Sequence, residues 1–188
     1  MNKKDFAKYI DVFLDQNSKL NLISKNDEKY LWEKHIFDSL AIEKFFEKYF
    51  KEFPNGVTLL DIGTGGGFPS VPIALEYKNI EVYGLDSIRK KINAIENMKA
   101  ELDIKNLHTI CDRAENIKDK FDIITSRAVA KLDKIVNYAL PLLKNGGYFV
   151  AYKSIKTQEE INDAKNILKK YKAEIIDVIE YNLPLEEN

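Results

Sequence analysis

The segment Asp61-Ile62-Gly63-Thr64-Gly65-Gly66-Gly67-Phe68-Pro69 constrains the fold of this chain more than any other. It follows a short apolar run, 57–62, that reads as a buried parallel strand. Pro69 suits the first turn of a helix. Glycines packed this densely permit positive φ and let a bound group press against the backbone. Strand, glycine turn and helix in that order open a doubly wound α/β sheet, whose ligand crevice lies at the carboxyl ends of the strands.

The chain beyond the loop repeats the theme. Apolar runs at 80–85, 107–111, 121–125, 148–152 and 175–179 predict five more strands. Helical stretches at 69–77, 87–101, 131–143 and 157–170 fall between them. Such alternation means a mostly parallel, Rossmann-like sheet with helices on both faces. Ahead of the loop, residues 2–52 read as helical. Phe6, Ile10, Phe13 and Leu14 keep helical spacing, and so do Ile36, Phe37, Leu40, Ala41 and Phe45. Pro54-Asn55-Gly56 is a turn that ends this part. The expectation is one domain, with a helical N-terminal cap at 1–52 and an α/β core at 53–188.

Composition narrows the class. No apolar run reaches the roughly 20 residues of a membrane helix, and the polar Met1–Asp5 start does not read as a signal peptide. Cys111 is the only cysteine, which excludes an internal disulfide and a multi-cysteine metal site; no metal is expected, and a cytoplasmic setting is. A net charge of −1 rules out a uniformly basic protein but leaves room for a basic face balanced elsewhere.

The loop separates two kinds of nucleoside site. Counted from Gly63, the dinucleotide pattern Gly-x-Gly-x-x-Gly puts its third glycine on Phe68; counted from Gly65, it puts it on Ser70. Asp-x-Gly-x-Gly-x-Gly, which resembles S-adenosylmethionine-dependent methyltransferases, is met at Asp61, Gly63, Gly65 and Gly67. The run 80–85 leads into Asp86, whose carboxylate is placed to accept both ribose hydroxyls, as in NAD enzymes. A helix N-cap before Ser87 is the other reading of Asp86, and the two are compatible. Cys111-Asp112-Arg113-Ala114-Glu115 would meet an adenine, and Thr125-Ser126-Arg127-Ala128 would face the methyl group.

The sequence has no Asn/Asp-Pro-Pro-aromatic tetrad for an exocyclic nitrogen and no Pro-Cys for cytosine C5. His35 and His108 are its only histidines. These absences suit an acceptor that needs little activation, such as guanine N7, for which positioning carries most of the catalysis.

Taken together, the blocks resemble the bacterial 16S ribosomal RNA (guanine-N7) methyltransferase G family, also called glucose-inhibited division protein B. The matching segments are Asn21-Leu22-Ile23, His35-Ile36-Phe37-Asp38-Ser39-Leu40, Leu60 to Pro69, Asp86-Ser87 with Arg89-Lys90-Lys91, Arg113-Ala114-Glu115, Ser126-Arg127-Ala128, and Leu143 to Gly147 with Lys153. The resemblance implies a class I methyltransferase fold, S-adenosyl-L-methionine as cofactor, and methyl transfer to N7 of one guanosine in small-subunit RNA. It implies that the partner is that RNA or the small ribosomal subunit, with no membrane, for a chain expected to be a monomer.

By resemblance, Asp61, Gly63, Gly65, Gly67, Phe68, Asp86, Ser87, Ala114, Glu115 and Arg127 form the cofactor set. Arg127, His35 and Lys153 are the catalytic candidates, while His35, Arg89, Lys90, Lys91, Arg113 and Lys153 are the RNA set. His35 and Asp38 also read as packing or capping residues of the cap, and Arg89-Lys90-Lys91 as a solvated helix face. Two departures stand out. Ser154 follows Lys153 where the family has glycine, and the family continues with an antiparallel strand beyond the run at 175–179. A methyltransferase for a small molecule or protein, and a nucleotide-binding module without transfer activity, are the alternatives.

Overall fold

Alternation along the strands sorts the core onto two faces. The computed structural model describes residues 2–50, 55–154 and 157–185. In β1 (Val57–Ile62) and β4 (Phe121–Arg127), Leu59 and Ile123 join one apolar cluster, while Leu60 and Ile124 join the other. Successive strand side chains point to opposite faces, so a strand buried on both sides reads as a continuous apolar run.

Five strands form one parallel sheet in the order β3-β2-β1-β4-β5, with β2 (Ile80–Leu85), β3 (Leu107–Ile110) and β5 (Leu143–Tyr152). The strand order reverses between β1 and β4. That is the topological switch point, where the crossovers diverge and leave a crevice at the carboxyl ends. The helices α5 (Ser70–Glu76) and α6 (Arg89–Glu101) contribute Val71, Ile73, Ile92, Ile95 and Met98 to one face. The helices α7 (Leu132–Ala139) and α8 (Thr157–Lys170) contribute Leu132, Ile135, Val136 and Ala164 to the other.

The N-terminal part is helical, as its periodicity predicts. α1 (Ala7–Leu20) ends at Asn21 in the left-handed region, φ 49°. Short α2 (Lys25–Glu28), a π-helical stretch Leu31–Phe37, α3 (Asp38–Leu40) and α4 (Glu43–Tyr49) follow. Phe6, Tyr9, Phe13, Ile36, Leu40 and Phe46 enter the same cluster as α5 and α6, so the cap shares the core of the sheet. The expected boundary at residue 52 and Pro54 lie outside the described residues; Asn55 and Gly56 form a turn, with Gly56 at φ 82°.

The sixth expected strand is absent. Residues 173–185 carry neither helix nor ladder, and Ile175, Ile176 and Val178 are 41%, 51% and 52% exposed. The segment is held by side chains instead. Asp177 accepts from Lys48 Nζ (2.6 Å) and Tyr49 Oη (3.0 Å), and Tyr181 Oη donates to Asp38 (2.6 Å). These bonds tie it to the cap, and a hollow of about 630 Å³ is lined by β5 and by residues 175–179. The apolar run there met no backbone ladder, so it did not become a strand. A smaller difference is that the helix expected over 131–143 stops at Ala139, and a single 3₁₀ turn, Leu140–Leu142, leads into a longer β5. Pro141, lacking an N–H, favours that break.

Candidate functional site

The glycine loop is anchored by its own backbone. The Gly63 and Thr64 N–H groups donate to Leu85 O at 2.8 and 2.9 Å, while those of Gly67 and Phe68 donate to Thr64 O at 2.9 and 3.0 Å. Gly63, Gly65 and Gly67 have φ of 71°, 58° and 95°, where a side chain is strained. A Cβ at Gly63 would lie 2.5 Å from Val129 Cγ2, and one at Gly67 2.5 Å from Val71 Cγ2. Gly65 is different: its nearest protein neighbour would be Gly63 O at 3.9 Å, so only its φ excludes a side chain within the protein.

An open cleft of about 400 Å³ lies against this loop. Its walls come from the ends of three strands and the loop after the fourth: Gly63, Asp86 and Ser87, Asp112 to Glu115, and Ala128 with Val129. Of the expected cofactor set, Gly63, Asp86, Ser87, Ala114 and Glu115 line it, joined by Lys91 and Arg113 of the expected RNA set. Val129 and Tyr138 line it too and carry no motif that would have found them.

Asp86 has a double role. Its Oδ2 accepts from Gly65 N (3.0 Å) and its Oδ1 from Ile88 N (2.9 Å), with Lys91 Nζ 3.9 Å away. The helix begins at Arg89 with Ile88 as its cap residue, so Asp86 closes the turn ahead of α6 and is not its N-cap. Each carboxylate oxygen keeps a second lone pair for a ligand hydroxyl.

Asp61 does not line the cleft. It is fully buried; Oδ1 accepts from Thr125 Oγ1 (2.9 Å) across the β1–β4 switch, and Oδ2 makes no hydrogen bond of normal geometry. Burial raises its pKa to about 6, against the opposing pull of neighbouring hydroxyls and of Arg127.

A second polar group gathers at the other end of the loop. The guanidinium of Arg127, the last residue of β4, donates from Nη1 to Asp38 Oδ2 (2.9 Å) and Lys34 O (3.0 Å), and contacts His35 Nδ1 from Nη2 (3.0 Å). Its Cζ sits 5.4 Å from the centre of the Phe68 ring, and the His35 ring is 5.0 Å from that centre. Tyr181 completes Asp38 through Oδ1. Arg127, His35, Asp38 and Phe68, distant in sequence, therefore form one cluster, in which Tyr181 had no signal in the sequence. His35 and Asp38 both pack the cap onto Arg127.

The hydrogen bonding assigns the His35 tautomer. Arginine has only donors, so Nδ1 is the acceptor and the neutral ring carries its proton on Nε2. Burial, then the Arg127 charge, lower the His35 pKa to about 4.

The remaining expected residues are spread out. Arg89 and Lys90 are exposed on the first turn of α6. Lys153 points inward, donating to Ala130 O (2.7 Å) and pairing with Glu160 (2.7 Å). Among the described residues no cluster of His, Cys, Asp and Glu could hold a metal, and no helix is long and apolar enough to cross a membrane.

Known proteins share both the sequence and the architecture. The family model described as rRNA small subunit methyltransferase G matches residues 2–183. A ribosomal RNA small subunit methyltransferase G of Desulfitobacterium hafniense is 38% identical over 96% of this chain and 75% of its own length. One from Lysinibacillus sphaericus is 35% identical over 97% of this chain and 77% of its own length. Among solved structures, a ribosomal protein L11 methylase from Lactobacillus delbrueckii subsp. bulgaricus superposes with a TM-score of 0.59 at 17% identity, covering 78% of this chain and 72% of that one. The plantazolicin methyltransferase BpumL, in complex with SAH, gives 0.56 at 19% identity, covering 92% and 71%. The two solved structures are alike in fold.

Proposed function

Because this chain belongs to the rRNA small subunit methyltransferase G family, we propose that it transfers a methyl group from S-adenosyl-L-methionine to N7 of one guanosine in 16S ribosomal RNA. The cofactor, when bound, supplies an electrophilic methyl group on a sulfonium. The cleft suits it: an open volume at the switch point, bare backbone at Gly63 and a carboxylate with spare lone pairs at the end of β2. Asp86 would take the ribose hydroxyls and the Asp112–Glu115 loop the adenine. Gly65 and Gly67 shape the turn that carries Gly63, and Ser87 edges the ribose side. Asp61 supports the turn from behind, through Thr125.

The observation that carries the choice of N7 is the engagement of His35. Its one free lone pair faces the Arg127 guanidinium, and its pKa lies far below neutral, so it is a poor proton acceptor. Guanine N7 attacks with its own lone pair and has no proton to lose. Catalysis then rests on bringing N7 in line with the methyl group. Arg127, held by Asp38 and His35, is a fixed positive group beside the loop and serves the cofactor side. His35 shapes the acceptor side without acting as a base. Arg89, Lys90, Lys91 and Arg113, on and beside the cleft, would meet RNA phosphates. Lys153 serves from within, by holding the loop at Ala130.

We place the protein in the cytoplasm as a monomer that acts on naked small-subunit RNA or on the small subunit, with residues 1–52 and 53–188 as parts of one domain. The test is transfer of labelled methyl groups to small-subunit RNA from cells lacking the enzyme, followed by mapping of the modified base. Label on N7 of a single guanosine is expected. Label on an exocyclic nitrogen, an oxygen or a carbon would refute the acceptor, and no transfer to RNA would refute the substrate.

A further inference from the structure

The loop between β4 and α7 forms one wall of the cleft, yet it lacks a local fastening. Ala128 has a positive φ of 55° without being glycine, and Val129 is 43% exposed. The helix that follows starts at Leu132 behind Lys131, whose side chain makes no capping bond. A helix start leaves backbone N–H groups without partners, and a serine, threonine, aspartate or asparagine normally satisfies one of them.

The missing cap comes from another helix. Glu160, in the first turn of α8, accepts the Leu132 N–H at its Oε2 (2.7 Å). The same oxygen pairs with Lys153 Nζ (2.7 Å), and Lys153 donates to Ala130 O (2.7 Å). Both side chains are mostly buried, at 14% and 21% exposure. One carboxylate and one ammonium thus brace both ends of the turn 130–132, next to the residues that contact the glycine loop. A negative charge at the start of α7 also complements its helix dipole.

We propose that Glu160 is a positioning residue for the cofactor site: through Leu132 and Lys153 it holds the 128–131 loop in the conformation that walls the cleft. The inference rests on the cofactor reading above. With the brace gone, the loop samples other conformations, and apparent affinity falls by the fraction of time the wall is in place. If that fraction drops to about a tenth, the dissociation constant rises about tenfold.

The experiment uses the full chain with two substitutions. Glu160→Ala removes both interactions; Glu160→Gln keeps an oxygen for Leu132 N–H and loses only the charge. S-adenosylmethionine binding is measured by calorimetry, and amide hydrogen exchange at 130–134 is followed in the ligand-free protein. Expected for Glu160→Ala is faster exchange confined to this turn and a dissociation constant about tenfold higher, with Glu160→Gln recovering most of the affinity. Unchanged affinity in folded Glu160→Ala would overturn the proposal, as would equal losses in the two variants. If Glu160→Ala fails to fold, Lys153→Met decides, because it removes the bond to Ala130 O and the pair with Glu160: confined loosening with a severalfold loss of affinity supports the brace, and wild-type affinity overturns it. Failure of the wild-type protein to bind S-adenosylmethionine would count against the cofactor reading itself.

Discussion

At Gly63 the glycine loop borders an open cleft, and at Phe68, five residues on, it borders a closed cluster. The polar groups of the two regions are spent differently. In the cleft, Asp86 satisfies two backbone N–H groups and still presents lone pairs to the opening. In the cluster, Arg127, Asp38, His35 and Tyr181 largely satisfy one another under the cap. The cleft leaves carboxylate lone pairs facing its opening. The cluster is built to hold a charge in one place, and low dielectric makes both its bonds and any vacancy in them weigh heavily.

The sharpest way to break this contrast is at Gly63. Gly63→Val places a side chain at φ 71°, and its Cβ would meet Val129 at 2.5 Å. Cofactor binding should be lost in calorimetry. Gly65→Ala, strained in φ but free of protein clash, should weaken binding less, by about 10-fold or more, as strain of 1–3 kcal/mol implies. Equal affinities in the two variants would mean that the Val129 contact is irrelevant to the cleft.

Next in size is the cluster. Arg127→Met strips Asp38 of its cation, and removing one partner of a buried pair costs about 3 kcal/mol. Denaturant unfolding should show a loss of that order. The His35 pKa, followed by NMR, should rise from about 4 toward 6.5, because the Arg127 charge helps to depress it. A titration that stays in place would leave Arg127 no part in it, with burial as the chief cause.

For the cleft, Asp86→Ala should raise the S-adenosylmethionine dissociation constant about 10- to 100-fold, since hydrogen bonds to a charged group contribute about 1.5–3 kcal/mol. Asp86→Asn keeps an acceptor for one backbone N–H and should lose less. A wild-type affinity in Asp86→Ala would leave the carboxylate only its role in the turn.

The smallest effect is in pH dependence, and half-buried His35 and buried Asp61 should pull in opposite directions. His35 has a folded pKa of about 4, below its ordinary 6.5, so the unfolded state takes up the proton first. Its stabilising contribution is complete above pH 6.5 and lost as pH falls toward 4. Asp61, raised from 3.8 to about 6, ionises more readily in the unfolded state, so stability falls as pH rises between those values. His35→Gln should flatten the acid-side loss, and Asp61→Asn should flatten the loss toward pH 6. Methyl transfer in a single turnover should show no ascending limb near pH 6 to 7 that vanishes in His35→Gln; such a limb would restore His35 as a base.

Local chemistry by itself determined the parallel sheet, the helical cap and the cleft. Apolar runs of strand length, glycines and Asp86 each act through neighbours in the chain, so their meaning is visible in sequence. The same signals misled at 175–179, because a strand needs a ladder partner, and Asp177 and Tyr181 hold that segment against the cap. Tertiary structure alone decided that Asp61 lies behind the loop, that Lys153 points inward, that His35 is tied to Arg127, and that Glu160 caps a helix that begins 28 residues before it. Spacing along the chain cannot encode such partners. They are chosen by burial, which leaves each polar group only those neighbours that the packed sheet and helices bring within reach.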